Sequence, residues 1–206
     1  MAKKVVIIDY GVGNHFSVQK KMIHLGYDVV TTNDADVIEK SDKIILPGVG
    51  HFEKAMENLN QLDLIELLNE EVLVKKKPIL GICLGMQLMA AYSEEGNVKG
   101  LNWIDAEVKK FNVKNQLIYK VPHTGWNQIE VVKESKLLNR IDNYAEFYFV
   151  HAYYFNCNNP SDILAQTDYE EKFTSAIESE NIYGVQFHPE KSHDVGRQLL
   201  KNFIEL

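Results

Sequence analysis

Four short apolar runs, most of them followed by a turn and a helical pattern, limit the architecture open to this chain. Val5-Val6-Ile7-Ile8 is an unbroken β-branched run, the mark of a strand buried on both faces. It ends in the turn-rich segment Asp9-Tyr10-Gly11-Val12-Gly13-Asn14. A helical stretch follows, with Phe16, Val18, Met22, Ile23 and Leu25 on its apolar side and Gly26 as its stop. The pattern repeats as a strand over 28–31, a short helix over Ala35–Glu39 and a strand over Lys43–Leu46. Helices over 52–59 and 62–74 then precede a strand over Ile79–Ile82. This alternation predicts a mostly parallel sheet with helices on both faces. Beyond residue 100 the pattern turns to strands, at 104–111, 116–121, 127–132, 145–150, 152–156, 162–167, 173–178 and 182–187. Antiparallel hairpins and a closing helix over 194–204 are expected there.

A chain of 206 residues, 45% hydrophobic and 25% charged, is enough for one α/β domain with a real core. No repeat or linker divides it, so a single domain over 1–206 is expected. A net charge of −7 argues against nucleic-acid binding. The lysines at 75–77 read as the solvated end of a helix. No run approaches the ~18–20 apolar residues of a membrane span. The N-terminal apolar stretch is also too short for a signal peptide. Two cysteines, Cys83 and Cys157, do not make a disulfide framework, and a cytoplasmic protein is expected.

The segment richest in chemistry is Gly81-Ile82-Cys83-Leu84-Gly85-Met86-Gln87. A strand ends, a cysteine follows at once and a helical pattern begins, which fits a nucleophile elbow with Gly81 and Gly85 as its small neighbours. A cysteine at a helix N-terminus is placed for thiolate chemistry. A buried, inert cysteine at a strand end is the plain alternative. A thiolate nucleophile needs a base, and Val185-Gln186-Phe187-His188-Pro189-Glu190 offers His188, with Glu190 to orient it. Pro189 is expected to keep this stretch extended. That weakens a zinc reading of His188, Glu190 and His193, which also lacks HExxH spacing. No metal or cofactor is expected. Leu46-Pro47-Gly48-Val49-Gly50 is a glycine-rich turn after a strand; amides of Gly48, Val49 and Gly50, with that of Leu84, are placed to hold an oxyanion. Alone, this turn is an ordinary β-to-α loop.

Taken together, PGVGHF, GICLGMQL and GVQFHPEKS resemble the signature blocks of class I glutamine amidotransferases. DYGVGN, KVPHTGWN, FYFVHAYY and HPEKSHDVGRQLLKNF extend the resemblance to the glutaminase subunits of imidazole glycerol phosphate synthases. These blocks reach from the first strand to the last helix. The resemblance implies a flavodoxin-like α/β fold and glutamine hydrolysis through a Cys83–His188–Glu190 triad. It implies L-glutamine contacts at Gly50, Leu84, Gln87, Glu95, Ala152 and Tyr153, with the Glu95 carboxylate on the substrate ammonium. It implies a heterodimer with a (β/α)8-barrel cyclase that receives the ammonia. Asn14, His123, Trp126, Asn127, Tyr148 and Lys191 would face or approach that partner. It also implies an oxyanion loop misplaced until the partner binds its own substrate.

Some positions depart from the histidine-pathway pattern. His15-Phe16-Ser17 stands where Leu-Arg-Ser is usual, Thr124 where methionine is common, and Ala152 where serine or threonine is common. The chain also resembles paralogues that supply ammonia for amidino groups on surface sugars. A free-standing cysteine γ-glutamyl hydrolase or peptidase and a catalytically dead binding protein are further alternatives. Cys157, in a turn-like stretch at 156–159, reads as a bystander thiol; His24 and His193 as structural or solvated; Trp103 as core; and His51 as a loop residue without a chemical role.

Overall fold

The computed structural model describes residues 3–206; Met1 and Ala2, with which the N-terminal apolar stretch begins, lie outside the described residues. In chain order the first half runs β1 (Val5–Ile8), α1 (His15–His24), β2 (Val29–Thr32), α2 (Ala35–Glu39), β3 (Lys43–Leu46), α3 (Phe52–Gln61), α4 (Leu64–Asn69), β4 (Ile79–Ile82) and α5 (Leu84–Gln87). The second half runs β5 (Ala90–Ser93), β6 (Val98–Lys99), β7 (Ile104–Lys110), β8 (His123–Gln128), β9 (Glu130–Val131), β10 (Glu146–His151), β11 (Tyr153–Cys157), β12 (Ile163–Tyr169), β13 (Glu171–Ser179), β14 (Ile182–Val185) and α6 (His193–Glu205).

The main sheet has the order β2-β1-β3-β4-β14-β13-β11-β7-β5-β6. Its first five strands are mutually parallel, and β14-β13-β11-β7 continue it antiparallel. Strands β8 and β10 form a separate antiparallel pair. Every residue of β1, β3, β4 and β14 is buried, which is why those strands are almost wholly apolar, the buried Lys43 at the start of β3 being their one charged residue. Successive side chains alternate between two cores. Val5 and Ile7 pack with Val18 and Met22 of α1 and Leu199, Leu200 and Phe203 of α6. Val6 and Ile8 pack with Phe52, Ala55 and Leu59 of α3 and Leu64 and Leu68 of α4. Helices therefore cover both faces, and the carboxyl ends of the parallel strands open on one edge, where α/β sheets bind ligands.

Several expectations need correction. Only Val18 and Met22, one helical turn apart, point from α1 into the core; Phe16 and Ile23 fall on its outer face, 69% and 57% exposed. The expected helix over 62–74 starts at Leu64 and ends in one π-helical turn at Glu70–Val74. Asp63, in the left-handed region with φ 55°, separates it from α3. The lysines at 75–77 are not simply solvated, because Lys75 and Lys77 both pair with the buried Glu71 carboxylate, at 2.6 and 2.5 Å. The segment 116–121 is no strand: the amides of Ile118 and Tyr119 both return to the Asn115 carbonyl, closing a turn that leaves Leu117 and Ile118 exposed. The strand expected over 127–132 is divided, since β8 starts at His123 to pair with β10 while β9 pairs with β12. The helical pattern after Cys83 yields one turn, α5, before β5, a strand that the sequence pattern does not mark. Cys157 closes β11 opposite Ala106 rather than sitting in a turn. Among the described residues no helix is long and apolar enough to cross a membrane.

Candidate active site

Cys83 stands between β4 and α5 with φ 54° and ψ −110°, a conformation that costs a non-glycine residue roughly 1–3 kcal/mol. The neighbouring structure enforces it. The Cys83 amide donates to the Val185 carbonyl of β14 at 2.8 Å, and the Cys83 carbonyl accepts from Met86 and Gln87. A Cβ on Gly85 would lie 1.7 Å from the Leu46 carbonyl oxygen, and one on Gly81 would lie 2.7 Å from the Met86 amide nitrogen. Both glycines are therefore required by the close crossing of β3, β4 and α5. The Gln186 side-chain amide approaches the Cys83 Sγ at 3.6 Å and accepts from Gln87 Nε2 at 2.9 Å.

His188 leaves the end of β14 and is fully buried. Its amide donates to the Tyr148 carbonyl at 2.8 Å, and Ser192 Oγ donates to its carbonyl at 2.6 Å. Pro189 does not extend the strand but opens a 3-10 turn, Pro189–Lys191, which folds Glu190 back toward the ring. His188 Nδ1 donates to Glu190 Oε1 at 2.8 Å, which leaves Nε2 for the neighbouring Cys83 thiol. Burial alone would lower the proton affinity of the ring. The charges of Cys83 and Glu190 outweigh burial and raise the His188 pKa to about 10.

The loop after β3 is held from below. Tyr10 Oη donates to the Pro47 carbonyl at 2.6 Å, and burial, then the nearby Cys83 charge, keeps this phenol protonated. Gly48 is buried under the loop, where an added Cβ would lie 2.5 Å from Tyr10 Oη. Val49 and Gly50 instead face a cavity of about 230 Å³ beside Cys83. This cavity collects Gly50, Leu84, Gln87, Glu95, Ala152 and Tyr153, all expected at glutamine, together with Pro122, Val150 and His151, which were not singled out. Glu95 Oε2 accepts from the Phe52 amide at the start of α3 at 2.9 Å, which fixes the carboxylate at the cavity wall.

The residues expected at a partner surface divide. Trp126 stacks on His193 at 4.9 Å and lies edge-on to Tyr148, and the Lys191 ammonium sits 5.6 Å from the Tyr148 ring centroid. These form a surface cluster. His123 is buried and points inward. A chain of hydrogen bonds runs from Asn127 Nδ2 to His123 Nε2 (3.3 Å), then between His123 Nδ1 and His151 Nε2 (3.1 Å). It ends with His151 Nδ1 on the Tyr153 carbonyl at 2.7 Å. Only an N–H can serve a carbonyl, so His151 donates from Nδ1 and accepts at Nε2. Burial pushes the His123 pKa down to about 4; burial and then the His123 charge push that of His151 to about 3. Both rings are neutral near pH 7. Asn14 also turns inward, onto Glu190.

A sequence-family model described as glutamine amidotransferase class-I matches residues 6–206. The chain belongs to this family. The amidotransferase is 48% identical over 201 residues to imidazole glycerol phosphate synthase subunit HisH 2 of Methanococcus maripaludis, spanning 98% of each chain. It is 45% identical to subunit HisH 2 of Pseudomonas aeruginosa, over 98% of this chain and 99% of that protein. It is 46% identical to subunit HisH 1 of Campylobacter jejuni, over 98% of this chain and 100% of that protein. Among solved structures, a putative GMP synthase subunit from Thermoplasma acidophilum superposes with a TM-score of 0.74 at 21% identity, covering 100% of this chain and 94% of that one. That likeness supports the fold alone.

His151 and Pro122 lie inside the blocks FYFVHAYY and KVPHTGWN, and Gln186 inside GVQFHPEKS, so the amidotransferase sequence carried them. Their roles as cavity wall and thiol neighbour depend on strand register, notably Val185 opposite Ile82, which no local pattern displays.

Proposed function

We propose that this chain is the glutaminase subunit of an imidazole glycerol phosphate synthase, releasing ammonia from L-glutamine for histidine biosynthesis. One observation carries the reading: Cys83, beside the buried His188–Glu190 pair, lines an amino-acid-sized cavity together with every residue expected at glutamine. The relatives named as synthase subunits, similar from end to end, support the pathway.

The Cys83 thiolate attacks the side-chain amide carbon of glutamine. The carbonyl electron pair moves to oxygen, and that oxyanion is held by amides from Val49 or Gly50 and Leu84. Protonated His188 delivers its proton to the amide nitrogen as the C–N bond breaks, and ammonia leaves. Water, deprotonated by His188, then attacks the γ-glutamyl thioester and releases glutamate and thiolate. Glu190 holds His188 in the required orientation, and Glu95 pairs with the substrate ammonium. Val49 and Gly50 line the cavity while Gly48 is packed beneath it, so the first two are the better oxyanion candidates. The ammonia passes to a (β/α)8-barrel cyclase in a cytoplasmic heterodimer that docks over Trp126, Tyr148 and Lys191.

A second reading, ammonia supply for amidino groups on surface sugars, is favoured by one observation. This chain departs from the histidine-pathway pattern at His15, Phe16, Thr124 and Ala152. A diazoketone analogue of glutamine tests the chemistry common to both. It should label Cys83 once per chain, be blocked by glutamine and leave Cys83→Ala unlabelled. Absence of labelling in the presence of a cyclase partner would refute glutaminase chemistry.

A further inference from the structure

Asn14 ends the turn after β1 and occupies the position just before α1, with φ 85° and ψ −3°. An asparagine there normally caps the helix with its side chain, a bond worth about 1 kcal/mol. This one makes no side-chain cap. It also holds a left-handed backbone that costs any side chain something, although asparagine least of the non-glycine residues. The side-chain amide instead reaches across the strand ends to Glu190, 176 residues away in sequence, donating from Nδ2 to Oε1 at 2.5 Å.

That oxygen is the one which accepts from His188 Nδ1. The Glu190 side chain is fully buried, and its other oxygen, Oε2, has no hydrogen-bond partner. A buried carboxylate is held in one rotamer only by the donors that reach it. Two donors do, and one of them is the ring that Glu190 must orient. Asn14 is therefore the fixed point from which the carboxylate, and through it the imidazole, takes its direction. The contact also has a mechanical consequence. Asn14 leads directly into α1, whose outer residues Phe16, Lys20 and Ile23 line, with Glu190 and Lys191, an open cavity of about 600 Å³.

We propose that Asn14 is a positioning residue of this site: its side-chain amide sets the Glu190 carboxylate, and so the direction in which His188 addresses Cys83. The inference deepens the glutaminase reading and rests on it for its kinetic consequence. Asn14, expected to face or approach the partner, has its side-chain amide committed inside the chain.

The test uses Asn14→Gly, which removes the donor yet suits the positive φ, so that relief of backbone strain offsets part of the stability lost with the bond to Glu190. Asn14→Asp, a near-isostere that sets carboxylate against carboxylate, is the second variant. Both are made in a Cys157→Ser background, so that Cys83 is the sole thiol. In the complex with the cyclase, kcat for glutamine hydrolysis should fall tenfold or more in Asn14→Gly, and further in Asn14→Asp, with KM changed less than twofold. Iodoacetamide alkylation of Cys83 is followed against pH in parallel and requires no turnover. The loosened Glu190 supports the imidazolium less, so the alkaline limb of the kcat profile moves to lower pH and alkylation at neutral pH slows. Thermal midpoints well above the assay temperature in both variants would show that the loss is not one of folding. Unchanged kcat and an unchanged alkylation profile in both variants would overturn the inference. A parent complex that fails to hydrolyse glutamine while its alkylation profile still responds to Asn14 would sink the glutaminase reading and leave the positioning role intact.

Discussion

At the residue scale the site depends on atoms with almost no room to move. Gly85 is the sharpest case, because its Cα faces the Leu46 carbonyl at a separation that excludes any side chain. Gly85→Ala should cost about 3 kcal/mol or more, since the obstacle is backbone that must shift. A fall in the denaturant midpoint with an unchanged m-value would show it. Cys83→Ala should leave stability close to parent yet reduce glutaminase turnover by ~10⁴-fold or more, as expected for loss of a nucleophile. Tyr10→Phe removes the donor to the Pro47 carbonyl, which is buried with the phenol. It should lower stability by about 1–3 kcal/mol by orphaning that carbonyl. It should also free the loop at 47–50, so that the ratio of partner-stimulated to basal hydrolysis falls several-fold; an unchanged ratio would mean that the hydroxyl does not hold the loop.

At the scale of elements, the β8–β10 pair brings two neutral histidines together under the cavity wall, with pH consequences of definite sign. His123 and His151 have their proton affinities depressed by burial, to about 4 and about 3 from an ordinary 6.5. The unfolded chain therefore binds protons first as pH falls below 6.5, and the stability present above that pH is lost toward the folded values. His188 acts in the opposite window: its pKa is raised to about 10, so the stability it contributes below 6.5 is lost as pH rises from there to 10. Denaturation midpoints taken between pH 6.5 and 5, above the carboxylate range, should decline more steeply for the parent than for His123→Gln. Equal slopes would contradict the assignment. Strands β1 and β4 were legible in the sequence because burial on both faces leaves uninterrupted runs without a polar side chain. Residues 116–121 misled because exposed Leu117 and Ile118 have the composition of a strand, and composition does not reveal a missing partner. Strand β5 was hidden because its residues continue the helical pattern of α5, an ambiguity common to short apolar runs. In the site, Cys83, His188 and Glu190 were legible because the chemistry demands those residue types beside turns. The inward direction of Asn14 and the His123–His151 relay were not, because each joins segments far apart in the chain.

At the scale of the whole molecule, the cavity, the loop at 47–50 and the Trp126–Tyr148–Lys191 cluster, proposed above as the docking face, gather around the strand ends that carry Cys83 and His188. Tyr10 grips the loop and Asn14 grips Glu190, and both residues belong to the turn after β1. Two sites coupled through such contacts share a coupling free energy, which must act in both directions for binding. The measurement that bears most directly on this account is steady-state glutamine hydrolysis by the purified chain alone, and again with the histidine-pathway cyclase and its nucleotide ligand. The account predicts slow turnover alone and a rise of ~10²-fold or more in the liganded complex, the amount that one well-placed oxyanion donor supplies. Equal turnover with and without the liganded cyclase would contradict it.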